Sequence, residues 1–198
     1  MVTTNHLGEA QREEPLAQQL RSMAKELVPQ LIEWRRYLHS IPELAFQETE
    51  TAAFVAKTLS EIGGYKIQER IGGTGVIADL QVGEAPRILL RADMDAVPVT
   101  ELRTDGWMSR NNGVMHACGH DGHMAMLLGA ACLLAELSRQ GQKGINVRLL
   151  FQPAEEAAGL DGKAGALSTI DDGVLDGVDA ALALHLEPGQ SLGVISVG

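Results

Sequence analysis

Cysteine is scarce in this chain: Cys118 and Cys132 are the only two among 198 residues. Two thiols cannot build a disulfide framework, and Cys132 lies in an apolar helical pattern where it reads as a small packed hydrophobe. Positive charge is also short, with 16 Lys and Arg against 26 Asp and Glu and a net charge of −10. A surface of that sign repels phosphate backbones and anionic headgroups, which argues against nucleic acid and membrane surfaces as partners. Long hydrophobic runs are missing as well; the apolar stretch from Met124 to Ala135 is too short to cross a bilayer. The first fifteen residues carry Glu9, Glu13 and Glu14 and lack the apolar core of a signal peptide. The expected setting is therefore reducing and cytoplasmic. What remains is an ordinary globular mixture, 45% hydrophobic and 21% charged, long enough to bury the core of one domain.

The apolar pattern lays out an α/β chain. Residues 1–14 read as a polar, flexible tail. Leu16, Leu20, Met23, Leu27, Leu31, Trp34 and Leu38 fall three or four apart on one helical stripe, with Pro29 predicting a kink or two abutting helices. A second helix is expected from Glu48 to Ile62, stopped by Gly63-Gly64. Alternation over Val76–Val82 and the apolar runs Ile88–Leu90, Ile145–Phe151 and Ala180–Leu184 predict strands. A long helix starts near Asp121 and a short one spans Gly165–Ile170. Helices alternating with short apolar strands imply a mostly parallel, mixed sheet flanked by helices. Gly72-Gly73-Thr74-Gly75 precedes a strand and matches no nucleotide spacing, so it reads as a turn.

The densest chemistry lies in Val114–His123, which holds three of the six histidines together with Cys118 and Asp121. Thiolate and imidazole from Cys118 and His120, two residues apart in a glycine-containing turn, suit zinc, or manganese, cobalt or nickel if carboxylates complete the shell. His116 and His123 are open between holding a ligand through a hydrogen bond and touching substrate. Glu155-Glu156 follows a strand; alone it reads as a solvated acidic pair, but beside the His tract one carboxylate can bind metal while the other acts as base. Asp93 and Asp95 follow another strand and His185 a third. In open α/β sheets ligands bind beyond the carboxyl ends of strands, so these clusters are expected in one place.

Five ordered blocks carry a resemblance: Trp34–His39 through Pro42-Glu43-Leu44, Arg91–Pro98, Met115–His123, Phe151–Glu156 and Ala183-Leu184-His185. Together they resemble the amidohydrolase branch of the aminoacylase/carboxypeptidase metallopeptidase family, which includes hippurate hydrolases and auxin-conjugate hydrolases. The resemblance implies metal ligands at Cys118, His120, Glu156 and His185, a general base at Glu155, and supporting roles for Asp93 and Asp95, with Asp95 orienting a ligand. It implies two divalent ions and hydrolysis of the amide bond of an N-acyl amino acid or related conjugate. Family members continue into a lid domain and a returning segment with a further histidine. The expectation is thus that 15–198 forms the N-terminal portion of a di-metal catalytic domain lacking lid and return, which self-associates through uncovered surface. The rival expectation is a catalytically weak metal-binding fragment that needs a second segment or partner.

Overall fold

A computed structural model describes the backbone of residues 7–104 and 106–196. In chain order the elements are α1 (Leu7–Ser40), α2 (Thr49–Ile62), β1 (Lys66–Ile71), β2 (Gly75–Val82), β3 (Ile88–Asp93), α3 (His120–Arg139), β4 (Ile145–Gln152), α4 (Gly165–Asp171) and β5 (Ala180–Ala183). They build one sheet in the order β1-β2-β4-β3-β5. Strand β3 pairs in parallel with β4 and β5, while β2 runs antiparallel to both β1 and β4. Every strand except β2 therefore points the same way, and the sheet is mixed as expected. No helix among the described residues is long and apolar enough to cross a membrane.

Alternation on the central strands decides which face meets the helices. The register sets Val76, Ala78 and Leu80 of β2 opposite Phe151, Leu149 and Val147 of β4. These six join Leu38 of α1, Val55 and Leu59 of α2, and Met124 and Leu128 of α3 in one buried cluster. Full burial of each of the Val, Leu, Met and Phe side chains here contributes about 1.5–3 kcal/mol. The opposite face is thinner: Ile77, Leu89 and Leu150 pack with Val174, which follows α4.

Three local outcomes differ from the sequence pattern. Helix α1 begins at Leu7, inside the segment expected to be a tail; residues 1–6 lie outside the described residues. Of the two outcomes that Pro29 allows, two abutting helices does not occur, because α1 runs through Pro29 as one helix. The backbone hydrogen bond lost there is offset by packing on both sides: Leu20 and Trp34 lie on the core, and Leu31 presses on Gly129 of α3 so closely that a Cβ there would sit 2.8 Å from it. Strand β1 has no apolar alternation strong enough to announce it, and pairing with β2 creates it. The glycine-rich turn closes this hairpin, with Gly72 and Gly73 at φ of +60° and +111°, values that favour glycine.

Candidate metal centre

The carboxyl ends of β3, β4 and β5 lie on one rim, since Asp93 pairs with Gln152 and Ala183 with Arg91. That register brings Asp93, Asp95, Glu155, Glu156 and His185 to the start of α3. Gly119 precedes α3 in a left-handed conformation, φ +84°, and lets Cys118 and His120 turn toward the same rim. His120 is buried, and its Nδ1 lies 2.8 Å from the backbone oxygen of Asp95. A carbonyl can only accept, so Nδ1 carries the proton and donates it. In the neutral ring Nε2 then keeps a lone pair, and this atom is buried and without a hydrogen-bond partner among the described residues. Burial opposes protonation of the ring, but Asp95 and Asp93 raise its pKa overall, so the site attracts positive charge. Buried polar atoms are rarely left so, and a cation would satisfy this one.

Three groups of ligand atoms lie within 4.8 Å of one another: Cys118, His120 and His185; His120, Glu155 and Glu156; and Asp93, His120 and His123. His120 is common to all three. The Cys118 sulfur is 3.4 Å from Nε2 of His185, and Nε2 of His120 is 3.8 Å from a Glu156 oxygen. Burial pushes the Cys118 thiol up to about 12, and Glu156, Glu155 and Asp93 add to the effect. A thiol so surrounded ionises only when a cation offsets the carboxylates, which is the electrostatic complement of a metal site. The donor set of thiolate, imidazole and carboxylate fits a divalent transition ion.

The third group does not fit as well. His123 accepts a hydrogen bond from the Leu186 backbone N–H on Nε2 at 3.0 Å, and burial lowers its pKa to about 4, so it is neutral. Its proton must then sit on Nδ1, the atom that would have to face an ion. His123 instead fixes the backbone just after His185. Asp93 lies 2.5 Å from the Arg91 guanidinium and 3.9 Å from Nδ1 of His123. Asp95 works from behind: besides its carbonyl on His120, its Oδ2 accepts the Glu156 backbone N–H at 2.9 Å.

Sequence patterns gave no notice of the polar chain beneath the centre. Asp121, fully buried, accepts from His39 Nδ1 at 2.8 Å and from Arg35 at 3.2 Å. Nε2 of His39 reaches Glu101 at 3.2 Å. A histidine at the end of an amphipathic stripe carries no sign of such partners, which lie far along the chain. His116 is buried with both nitrogens unpartnered among the described residues and belongs to none of the three groups. Burial lowers its pKa to about 4, so it is neutral.

The chain is similar to known proteins over most of its length. An N-acetyl-L-cysteine deacetylase from Bacillus subtilis strain 168 is 48% identical over 172 residues, covering 86% of this chain and 39% of that protein. An N-acyl-L-amino acid amidohydrolase from Geobacillus stearothermophilus is 44% identical, covering 85% of this chain and 44% of its own length. The crystal structure of the Bacillus subtilis YXEP protein, described as a dinuclear metal binding peptidase from the M20 family, superposes with a TM-score of 0.74 at 42% identity. It covers 83% of this chain and 44% of that one. The chain thus spans about two fifths of the length of these relatives. The pattern of peptidase family M20/M25/M40 matches residues 89–198, the stretch that holds every side chain of the three ligand groups, and the chain belongs to that family.

Proposed function

We propose that this chain carries the metal-binding part of an amidohydrolase acting on N-acyl amino acids or related conjugates. The observation that supports it most is the buried, unpartnered Nε2 of His120, whose ring is held by the Asp95 carbonyl amid sulfur, imidazole and carboxylate donors. Cys118, His120, Glu156 and His185 would hold the divalent ions, zinc or manganese first, cobalt or nickel also suiting the donor set. Such ions, when bound, polarise a carbonyl and acidify water. Asp95 orients His120 and the Glu156 backbone, and Asp93 supports the neighbouring imidazole.

Glu155 is the general base. It takes a proton from the attacking water as the C–O bond forms at the amide carbon. It then gives that proton to the nitrogen as the C–N bond breaks, releasing an amine and a carboxylic acid, whose proton passes on to the amine to leave carboxylate and ammonium. Cys118 can act as a ligand only when reduced, which supports a reducing compartment such as the cytoplasm. The names of the relatives, a deacetylase of N-acetyl-L-cysteine and an N-acyl-L-amino acid amidohydrolase, support the substrate class. We also propose that the chain associates with a second copy or partner.

The test is metal content. After dialysis against a weak chelator, the purified chain should retain at least one divalent ion, and Cys118→Ala should bind it more weakly by about tenfold or more. Equal metal content in both proteins would sink the ligand assignment. A screen of N-acetyl, N-benzoyl and indole-acyl amino acids then addresses the substrate.

A further inference from the structure

Glu48 precedes α2 and its residue is fully buried. Its carboxylate accepts from two neutral donors: the Thr74 hydroxyl on one oxygen at 2.5 Å and the Ala154 backbone N–H on the other at 2.8 Å. Burying a carboxylate without a cation is costly, and burial does raise its pKa, against the pull of the Thr74 hydrogen bond. The donor it holds is no ordinary one. Ala154 sits at φ +47°, a left-handed conformation that a residue with a Cβ adopts only when its surroundings impose it.

Those surroundings are specific. The carbonyl of Ala154 accepts from Gly165 N–H at 2.8 Å. A Cβ on Gly165 would lie 1.7 Å from the Pro153 oxygen, and one on Gly75 would lie 2.9 Å from the Pro153 ring. Pro153-Ala154 is therefore gripped from both sides, while Glu48 alone among these contacts holds the N–H of Ala154. Two residues on, Asp95 takes the Glu156 N–H at 2.9 Å. Carboxylates thus bracket Glu155, one before it and one after.

We propose that Glu48 is a positioning residue for the metal centre: by fixing the Ala154 peptide it aims Glu155 and Glu156 at the rim where His120 stands. This rests on the amidohydrolase reading above for the roles of the two glutamates. Glu48 touches neither ion nor substrate and acts through the backbone.

The experiment titrates the whole chain with Co2+, read by the thiolate-to-cobalt charge-transfer absorption of Cys118, with thermal melting alongside. Glu48→Gln keeps an acceptor for Ala154 and should bind Co2+ within about threefold of wild type, whereas Glu48→Leu should bind about tenfold or more weakly, as for lost outer support of a ligand. A role in packing alone would lower the melting temperature of Glu48→Leu and leave Co2+ affinity unchanged, which would overturn the proposal. Should Glu48→Leu fail to fold, Thr74→Val decides, since it frees the carboxylate to rotate off Ala154; weakened Co2+ binding supports the proposal and unchanged binding overturns it. If wild type itself takes up no Co2+, the metal reading falls and takes this inference with it. Wild-type binding with unchanged Glu48→Leu binding sinks the positioning role alone.

Discussion

At the scale of single residues, the hydrogen bonds made by His120 and by the Glu156 backbone to Asp95 fix how the candidate donors face one another. Glu155 and Glu156 are neighbours of identical chemistry, and Asp95 accepts from the backbone of both, yet Glu156 is the one whose carboxylate stands 3.8 Å from His120 Nε2. In a protein with measurable turnover, Glu155→Gln should keep its metal and lose about 10²–10⁴ in kcat. Glu156→Gln should lose metal and activity together. Mutants that exchange these behaviours would reverse the two roles. The donor types of the candidate site were legible in the sequence because Cys118, His120 and the Glu pair are dense and lie near strand ends. The neutral, N–H-accepting state of His123 was not legible, since it depends on a backbone N–H 63 residues away. Glu48 was not legible either: a glutamate before a helix looks like any solvated first-turn acid, and only the fold buries it.

Elements are tied by polar contacts that can be tested separately from the metal. His39 of α1 grips Asp121 of α3, and its hydrogen bond to that carboxylate raises its pKa against the opposing effect of burial. The stabilisation from a raised histidine is fully present below its unfolded value and is lost as pH rises through the higher folded one. The destabilisation caused by His39→Gln should therefore be larger near about pH 6 than near about pH 9, measured as urea unfolding free energies of both proteins at each pH. A pH-independent difference would show that His39 acts without its charge. On the other face, Arg148 of β4 holds Asp79 of β2 through two contacts of 2.8 Å and donates to the Val174 carbonyl at 2.9 Å. Arg148→Met should cost about 3 kcal/mol, because it leaves Asp79 unpaired in a half-covered site; denaturant unfolding reads this directly. Periodicity sufficed for α2, α3 and the central strands, where one face is strongly apolar. It failed for β1, Lys66-Ile67-Gln68-Glu69-Arg70-Ile71, whose residues are at most half-buried and whose strand state comes from its partner.

For the whole molecule, the outer strand β5 is the most exposed part of the sheet. All four of its residues are exposed, and Leu182 and Leu184 stand 63% and 65% open to solvent. An unpaired edge bearing apolar side chains invites another chain. Sedimentation velocity should show association that grows with concentration, and Leu182→Lys should shift it toward monomer; a wild-type chain that stays monomeric throughout would refute this. The reversed direction of β2 has a different consequence. Because β2 opposes its neighbours, its first residues, Thr74-Gly75 onward, arrive at the rim where β3, β4 and β5 finish. Its last residues, with Gly83 and Gly144, turn at the far rim. The domain thus has a working edge and an idle one. Added length at residues 83–84 or 141–143 would fall in exposed turns at the far rim, whereas one extra residue at 72–75 would draw the Thr74 hydroxyl away from Glu48 and so reach the Ala154 peptide.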